Sequence, residues 1–596
     1  MGRHLFILIF SILLAAATAA AQDPVPTQTP APTPTPVATP AAPPVVDGAP
    51  GVRPEDVRGV PAIAPNYRSE DRRLPDLGRV GVDTADQHPL TLREALALAL
   101  ENNKDIEVTR QNIRIAEFDL KAARGVYEPR FAGQTFYERA TVPNISFFSP
   151  NVTKITNSTI TGNGGLTAFI PQTGTVLSAT LNNNRIGTTN PISIISPQYN
   201  SSFTASVTQP LFRGLRFDQQ RRTIEIAKRN LSLTGAQFRQ RTIETVASVQ
   251  RAYWDLTFAL RSLQVQRDSL RDAQAQLEHN RRLVDEGQLA PIDIVAAETQ
   301  VANFEQAVYD ALNVVNQAEN GLKNLISPRR TDAIWSRAIT PVDSVEVPTP
   351  SLSIETAVET AIQNRPELEI NAAQREINRV DQRFYREQKK PQIDLVASYT
   401  SAGVGGTLNP NFTNPLLRSC TPGSTDPTCQ QAAAAQAQLL QTVGGGGTAI
   451  TDILSNKYPT VRVGVQFNLP LFGDKTSRAQ YGRSLVEAER IETLREQIEQ
   501  NIQTDVRNAL QAVRTAEARL RSASIARENS ERQYESEKRK LDEGQSDVYR
   551  VLERQTALTV ARSSELRART DLNKAIAELE RATGTSLTAN GIETKK

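Results

Sequence analysis

The sequence predicts an α+β protein in which very long helices alternate with short strands and the same order of elements occurs twice. A duplication is visible where residues 90–108 (LTLREALALALENNKDIEV) align with residues 352–370 (LSIETAVETAIQNRPELEI). TQPLFRG at 208–214 likewise aligns with NLPLFGD at 468–474. Heptad repeats of apolar residues predict coiled-coil helices, and period-two alternation predicts strands. Because the aligned segments occur in the same order, they indicate an internal twofold repeat.

The N-terminus carries the features of a secretory signal peptide, which we assign to residues 1–21. Arg3 and His4 precede an apolar stretch of about 17 residues that ends in three alanines before Gln22. A retained anchor helix is the alternative. No later run of 18 apolar residues occurs, so the sequence predicts an exported protein without a transmembrane helix. Such a chain is either soluble or held in a membrane as a β-barrel.

Composition and residue counts exclude several classes of function. A formal net charge of +3 with 22% charged residues gives no electrostatic footprint for nucleic acid. The three histidines, His4, His88 and His279, are scattered, so we predict no metal site, no cofactor and no catalytic residues. Cys420 and Cys429 lie nine residues apart in a loop-like stretch of an exported chain, which favours one local disulfide bond.

Two segments, 216–285 and 476–542, hold helical patterns of about 70 residues, or roughly 105 Å at 1.5 Å per residue. The helix after the first of them has apolar residues at both core positions of each heptad, which is typical of coiled-coil packing. The first segment keeps one apolar residue per heptad near its end, so we expect a partner on one face only. The complete seam consists of Ile294, Val301, Val308, Val315 and Leu322 together with Ala297, Phe304, Ala311, Ala318 and Leu325. The narrower seam consists of Val249, Leu256, Leu263, Leu270, Leu277 and Val284.

A shared turn sequence ends both long segments, as RRLVDEGQ at 281–288 and as KRKLDEGQ at 538–545. Gly287 and Gly544 stand where a glycine in the left-handed conformation commonly ends a helix. Residues suited to a helix N-terminus follow each turn, namely Pro291, Asp293, Ser546 and Asp547. Each turn therefore closes an antiparallel helical hairpin, and both hairpin tips are expected at the same end of the molecule.

Strands are predicted where apolar and polar residues alternate, along residues 177–182, 203–208, 393–399 and 461–469. One apolar and one polar face fit a membrane barrel, but they fit a half-buried soluble sheet equally well. Too few strands are predicted for one chain to close a barrel, so a membrane barrel would require oligomerisation.

These features resemble the TolC family of outer-membrane efflux proteins over about residues 88–588. The resemblance rests on the duplicated architecture, the QPLFRG and LPLFGD elements, and the spacing from Gly287 to Asp293. It implies a homotrimer whose 12-stranded outer-membrane β-barrel, surrounded by lipid, receives four strands from each protomer and continues as a 12-helix periplasmic α-barrel. An extra strand pair at about 160–185 departs from that pattern.

The resemblance also divides the chain. The expected parts are a signal peptide at 1–21, a Pro-rich flexible segment at 22–87, repeat 1 at 88–327, an equatorial linker at 328–350, repeat 2 at 351–588 and a C-terminal tail at 589–596.

The function that the resemblance implies is a passive channel for efflux or type I secretion. The hairpin tips would contact a periplasmic adaptor, which links the channel to an inner-membrane pump of the RND or ABC type. The contact residues carried over are Gly287, Gln288, Leu289, Gly544, Gln545 and Ser546. The alternative interpretation is a soluble exported coiled-coil protein that acts as an adaptor or scaffold.

The resemblance further implies a periplasmic gate near the tips, at Asp293, Arg550 and Glu553. The family pattern has two aspartates in the second repeat, where this chain has Arg550 and Glu553. A mixed-charge ring closed by salt bridges between protomers is therefore expected instead of a purely anionic one. The local interpretation is that Asp293 and Asp547 simply stabilise helix N-termini, and that Arg550 and Glu553 pair along one helix.

Overall fold

The computed structural model describes residues 78–145, 152–345, 352–412, 414, 417, 420–439, 443–469 and 474–592. The predicted signal peptide, most of the Pro-rich segment and residues 593–596 of the tail lie outside the described residues. Residues 346–351 of the linker and residues 470–473 of the LPLFGD element also lie outside the described residues.

The first half of the chain runs from a short strand into helices, through a meander of strands, and back into helices. Its elements are β1 (Asp83–Leu90), α1 (Leu92–Asn102), α2 (Lys104–Arg124), β2 (Arg130–Pro143), β3 (Lys154–Ile170), β4 (Thr175–Thr188), β5 (Ile195–Pro210), α3 (Gln219–Asp285) and α4 (Pro291–Ile326). A short 3-10 helix, Gly125–Tyr127, follows α2, and a second one, Ala333–Trp335, follows α4.

The second half follows the same order with fewer strands. Its elements are β6 (Arg337–Pro341), α5 (Ile354–Asn364), α6 (Pro366–Gln388), β7 (Gln392–Leu408), α7 (Pro427–Leu439), α8 (Gly445–Leu454), β8 (Tyr458–Asn468), α9 (Lys475–Asp542), α10 (Val548–Thr583) and α11 (Ser586–Ala589). Cys420 and Cys429 are joined by a disulfide bond in the β7–β8 connection.

The two long helices have the length that the heptad patterns predict. α3 contains 67 residues and α9 contains 68, each roughly 100 Å long. Leu256 of α3 and Leu322 of α4 are completely buried, and the seam between these helices is apolar along its length. Among the described helices, none combines the length and the hydropathy that crossing a bilayer would need.

The main sheet has six antiparallel strands in the order β2-β3-β4-β5-β7-β8. The sheet of this chain therefore has six strands, two more than the expected four per protomer. The additional pair is real because β3 and β4 hydrogen-bond to each other from Asn157↔Thr188 to Ile170↔Thr175. Gly174, with φ 69°, supplies the left-handed residue that their tight turn requires.

The two faces of this sheet differ in chemistry. One face carries aligned apolar residues, which include Leu177, Ala179, Ala205, Val207, Leu395, Ala397, Tyr399, Val461, Val463 and Val465. The opposite face carries hydroxyl and amide side chains, and there the hydroxyls of Ser178 and Ser206 lie 2.6 Å apart and those of Thr204 and Thr400 3.0 Å apart. In β8 the apolar face is exposed to the surroundings, as Val461 and Val463 show.

A second, small sheet pairs β1 with β6 in parallel and packs against the long helices at mid-length. A buried network of ion pairs attaches this small sheet to α4. The Glu319 carboxylate lies 3.3 Å from the Lys323 ammonium and 2.6 Å from the Arg79 guanidinium, and it accepts a 2.7 Å hydrogen bond from the Ile339 amide of β6. Lys323 donates to the backbone carbonyl of Arg337 at 2.7 Å.

Candidate functional site at the hairpin tips

Both hairpin tips have the same backbone geometry. Gly287 and Gly544 adopt left-handed conformations with φ 75° and 70°. In the first tip the Gly287 amide donates to the Val284 carbonyl at 2.9 Å and the Gln288 amide donates to the Leu283 carbonyl at 2.8 Å. The second tip repeats these two bonds at the same distances, from Gly544 and Gln545. This pair of bonds satisfies the last carbonyls of each long helix, which explains the glycine in both sequences.

The helices that leave the tips begin with different caps. In α4 the Asp293 carboxylate, in the first turn, accepts a 3.2 Å hydrogen bond from the Ala290 amide. In α10 the Asp547 carboxylate precedes the helix and accepts a 2.8 Å hydrogen bond from the Arg550 amide. Both aspartates therefore stabilise a helix N-terminus, as the local interpretation of the sequence holds.

The two tips lie side by side within one chain. Leu541, Val548, Val551 and Leu552 form a buried cluster at the second tip, and Leu289 from the first tip packs against it. Imidazole Nε2 of His279 in α3 lies 3.5 Å from the Asp542 carboxylate in α9. Each chain thus presents one double tip instead of two separate ones.

The six residues predicted as adaptor contacts divide into two groups. Gly287, Gln288, Gly544 and Gln545 are exposed at the apex. Leu289 and Ser546 are half-buried and hold the tip together: Leu289 packs in the cluster, and the Ser546 hydroxyl donates to the Glu537 carboxylate. That hydrogen bond, with the Lys540 ammonium nearby, lowers the pKa of Glu537 below its usual range.

The three predicted gate residues form no hydrogen bond or ion pair with one another among the described residues, so the expected pairing of Arg550 with Glu553 is not seen. Arg550 and Glu553 are exposed, and Asp293 is half-buried. The Arg550 guanidinium lies 3.4 Å from Asp547 of its own chain. In the described part of the protein, no hydrogen bond or ion pair joins Asp293 to Arg550 or Glu553.

Sequence reasoning missed a polar stretch where α3 faces α10 near the tips. The hydroxyls of Ser269 and Thr559 lie 2.8 Å apart across this interface. Farther along α3, Gln276 donates to the side-chain carbonyl of Asn280 at 2.8 Å, and both residues are buried, as is Gln555 of α10. Serine and glutamine recur at heptad spacing in α3, and that recurrence is the signal that could have identified the interface. The seam within the first hairpin is apolar, whereas the interface between the two hairpins is partly polar.

The described residues contain no group of three His, Cys, Asp or Glu side chains placed to hold a metal ion. The arrangement at the tips offers exposed backbone, amides and charges, which suit contact with another protein or closure of an opening.

The antiparallel sheet, with one apolar and one polar face, continues into long paired helices, which is the combination of elements that the resemblance predicts. The family model described as outer membrane efflux protein matches residues 166–327 and 357–585, well over half of the chain. The chain therefore belongs to the outer membrane efflux protein family, which confirms the resemblance to TolC-type channels. It is accordingly an outer-membrane exit channel, with its long helices on the periplasmic side.

Solved structures show the same fold at low sequence identity. The outer membrane channel CmeC of Campylobacter jejuni superposes with a TM-score of 0.58 at 14% identity, covering 85% of this chain and 87% of CmeC. The MtrE outer membrane channel of Neisseria gonorrhoeae, solved in its open state, gives 0.54 at 16% identity, covering 83% and 89%. VceC from Vibrio cholerae gives 0.56 at 11% identity, covering 83% and 96%. A comparison with curated protein sequences finds no match.

Proposed function

We propose that this protein is the passive exit duct of a tripartite efflux or type I secretion system. One observation supports the proposal above all. The sheet with one apolar and one polar face leads into long paired helices, and these helices end together at one double tip per chain. The duct performs no chemistry, so the energy for transport comes from an inner-membrane pump of the RND or ABC type. A periplasmic adaptor joins that pump to the exposed apex at Gly287, Gln288, Gly544 and Gln545.

The duct is a homotrimer, as the resemblance implies, and the two unpaired edges of the sheet support its assembly from several copies. β2 and β8 are exposed along their outer edges, and no strand among the described residues joins these two edges. Unpaired backbone groups are strongly disfavoured in lipid, so a sheet in the membrane must close. β2 leads away from the helices and β8 leads back towards them, so β8 of one protomer meets β2 of the next in the antiparallel sense.

The helices at the same two edges also leave apolar side chains uncovered. On α2, beside β2, the exposed apolar residues are Val108, Ile115 and Phe118. On α9, beside β8, Leu485 and Val486 are exposed. A neighbouring protomer that pairs β8 with β2 brings these two helix surfaces together, so one interface covers both the sheet edges and the helix faces.

Three copies of the six-stranded sheet supply 18 strands. Barrels of 16 to 18 strands leave an aqueous channel, whereas eight-stranded barrels are filled by side chains. The apolar face that bears Val461 and Val463 contacts lipid, and the face that bears Ser178, Ser206, Thr204 and Thr400 lines the lumen. The narrowest part of the duct is therefore the periplasmic end and not the barrel.

The gate at that end is a mixed-charge ring formed between protomers. Asp293, Arg550 and Glu553 are close to the tips, and among the described residues they form no hydrogen bond or ion pair with one another. In a trimer, α4 and α10 of neighbouring protomers converge around the axis, where an acid of one chain can meet the arginine of another. Such ion pairs are individually weak, about 0–1 kcal/mol when exposed, so the ring can open when an adaptor binds.

Cell fractionation tests the proposal with the intact protein. We expect the chain in the outer-membrane fraction, migrating in gels as a trimer before heating and as a monomer after boiling. The charge variant Asp293→Asn should behave identically, because it alters neither the sheet nor its edges. Recovery in a soluble periplasmic extract would support the exported adaptor or scaffold instead.

A further inference from the structure

The connection between β7 and β8 contains a helix, α8, that folds back onto the sheet. The Ser401 hydroxyl of β7 donates to the Ile453 carbonyl of α8 at 2.9 Å, and the Tyr399 hydroxyl bonds to the Asn456 side chain. Ala449 of α8 is completely buried against the sheet. Asp452, also buried, pairs with Lys457 at 3.2 Å.

Glycines in β7 make this close approach possible. A Cβ atom on Gly403 would lie 1.8 Å from the carbonyl oxygen of Ala449, and one on Gly405 would lie 2.2 Å from that of Gly445. Any side chain at these positions would displace the helix. The backbone of α8 therefore sits directly on the backbone of β7, and only glycine accommodates it.

The register of the sheet shows on which face α8 lies. Side chains two apart along a strand share a face, so Gly403 and Ser401 share theirs with Tyr399 and Ala397. Tyr399 and Ala397 pair with Val461 and Val463 of β8. α8 thus covers the apolar face of the sheet, near the end of the strands that is distant from the long helices.

The helix changes the chemistry of the surface that it covers. Beneath it the apolar face is interrupted by Ser201 and Ser401, which are both buried. On its outer side α8 presents Ile450, 51% exposed, and Leu454, 80% exposed. These two residues line an open groove with Leu181 and Phe203 of the sheet. The helix therefore covers the two serine hydroxyl groups and presents aliphatic side chains in their place, so the apolar surface of the sheet continues across it.

We propose that α8 lies in the outer leaflet of the membrane and that lipid acyl chains contact Ile450 and Leu454. This inference rests on the proposed function, because it takes the apolar face as the one that faces lipid. α8 packs on β5 and β7, in the interior of the sheet, so closure of the trimer through β2 and β8 leaves it uncovered. Its exposed side chains continue the apolar band that a transmembrane sheet requires, and that continuity identifies hydrocarbon as the occupant.

Spin labelling of the full-length protein in liposomes tests the position of α8. Single cysteines are introduced as Ile450→Cys and Leu454→Cys, with Val463→Cys as the lipid control and Ala434→Cys of α7 as the aqueous control. The native disulfide leaves no other free cysteine. Accessibility is then measured with oxygen, which concentrates in lipid, and with a nickel chelate, which stays in water.

Labels at 450 and 454 are expected to match the Val463 label, with high accessibility to oxygen and low accessibility to nickel. Access to nickel at both positions overturns the inference, and so does shielding from both reagents, which would mean that protein covers the helix. If the Val463 label itself is accessible to nickel, the apolar face is not in lipid and the proposed function fails as well. The two failures are therefore distinguishable.

A matched pair of glycine substitutions independently tests the packing of α8 on β7. Gly403→Val is expected to displace α8 and to raise nickel access at position 454 several-fold. Gly464→Val is the control, because a Cβ atom on Gly464 meets nothing within 4 Å. Both variants should still be recovered as heat-sensitive trimers. Unchanged nickel access at position 454 in a trimeric Gly403→Val variant would contradict the packing of α8 on β7.

Discussion

Neutralising the three gate charges together, as Asp293→Asn, Arg550→Gln and Glu553→Gln, is expected to raise the single-channel conductance several-fold in planar bilayers. Within the described part of the chain these three charges form no ion pairs with one another, so their proposed role depends on contacts between protomers. Removing both signs of charge abolishes those contacts without leaving an excess of either sign in the ring. Asn at 293 keeps an oxygen that can accept the hydrogen bond from the Ala290 amide, so the start of α4 is preserved.

A control variant separates the gate from a general effect of charge. Glu528→Gln, Arg532→Gln and Asp310→Asn also remove two acids and one base, at exposed positions along the long helices. This control should leave the conductance unchanged. If the gate variant and the control behave alike, Asp293, Arg550 and Glu553 act only locally, at helix N-termini and on the helix surface.

Replacing Glu319 by Gln is expected to destabilise the attachment of the small β1–β6 sheet by about 3–5 kcal/mol, because it leaves a buried cation without its counter-charge. Lys323 is 0% exposed and Glu319 1% exposed, so solvent cannot compensate. The Ile339 amide of β6 donates to Glu319 and serves as a local reporter. Its hydrogen exchange should accelerate at least about 100-fold, since each 1.4 kcal/mol corresponds to a factor of 10.

The exposed pair Glu528–Arg532 provides the matched control for this substitution. Glu528→Gln removes an ion pair of the same spacing on α9, and exposed pairs contribute about 0–1 kcal/mol. Exchange of the Ile339 amide should not change in that variant. Equal exchange in both variants would mean that the buried network does not hold the small sheet.

Burial also lowers the pKa of Lys323 below 10.5, although the neighbouring Glu319 opposes this shift. A base with a lowered pKa in the folded state destabilises the fold while it is charged, and this cost diminishes as pH rises from the folded pKa towards the unfolded value. In Glu319→Gln the opposing effect of the carboxylate is absent. The loss of stability should therefore be smaller at about pH 10 than at about pH 7, which the same exchange measurement can follow.

The long helices and their hairpins could be predicted because their signals are local. Heptad positions such as Leu256 and Leu322 become the buried seam, and the glycines of the two tips adopt the left-handed conformation. These features depend on residues within a few turns of each other. The chemistry of each tip is likewise local, since Asp293 and Asp547 cap the helices that follow them.

The six-stranded sheet was only partly predictable. β3 has the sequence KITNSTITGNGGLTAFI, in which glycine and polar residues stand on both faces over most of its length. Without a regular apolar face, period-two alternation is weak there, and the strand forms because β2 and β4 supply partners on both sides. The sequence indicated an extra strand pair but not its place in the sheet.

α8 was missed for a different physical reason. The run GGGG at 444–447 has very low helix propensity and is typical of a loop, yet α8 includes Gly445, Gly446 and Gly447. Tertiary packing requires the absence of side chains there, because the helix lies directly on the glycines of β7. The proposed gate contacts join different protomers, so the sequence of one chain does not specify them.

The number of strands in the assembled barrel tests the central claim most directly. Electron cryomicroscopy of the protein extracted from outer membranes should show a three-fold assembly with 18 strands, in which β8 of each protomer pairs with β2 of the next. A closed barrel formed by one chain, a 12-stranded barrel with β3 and β4 outside the wall, or an assembly without a barrel would contradict the account.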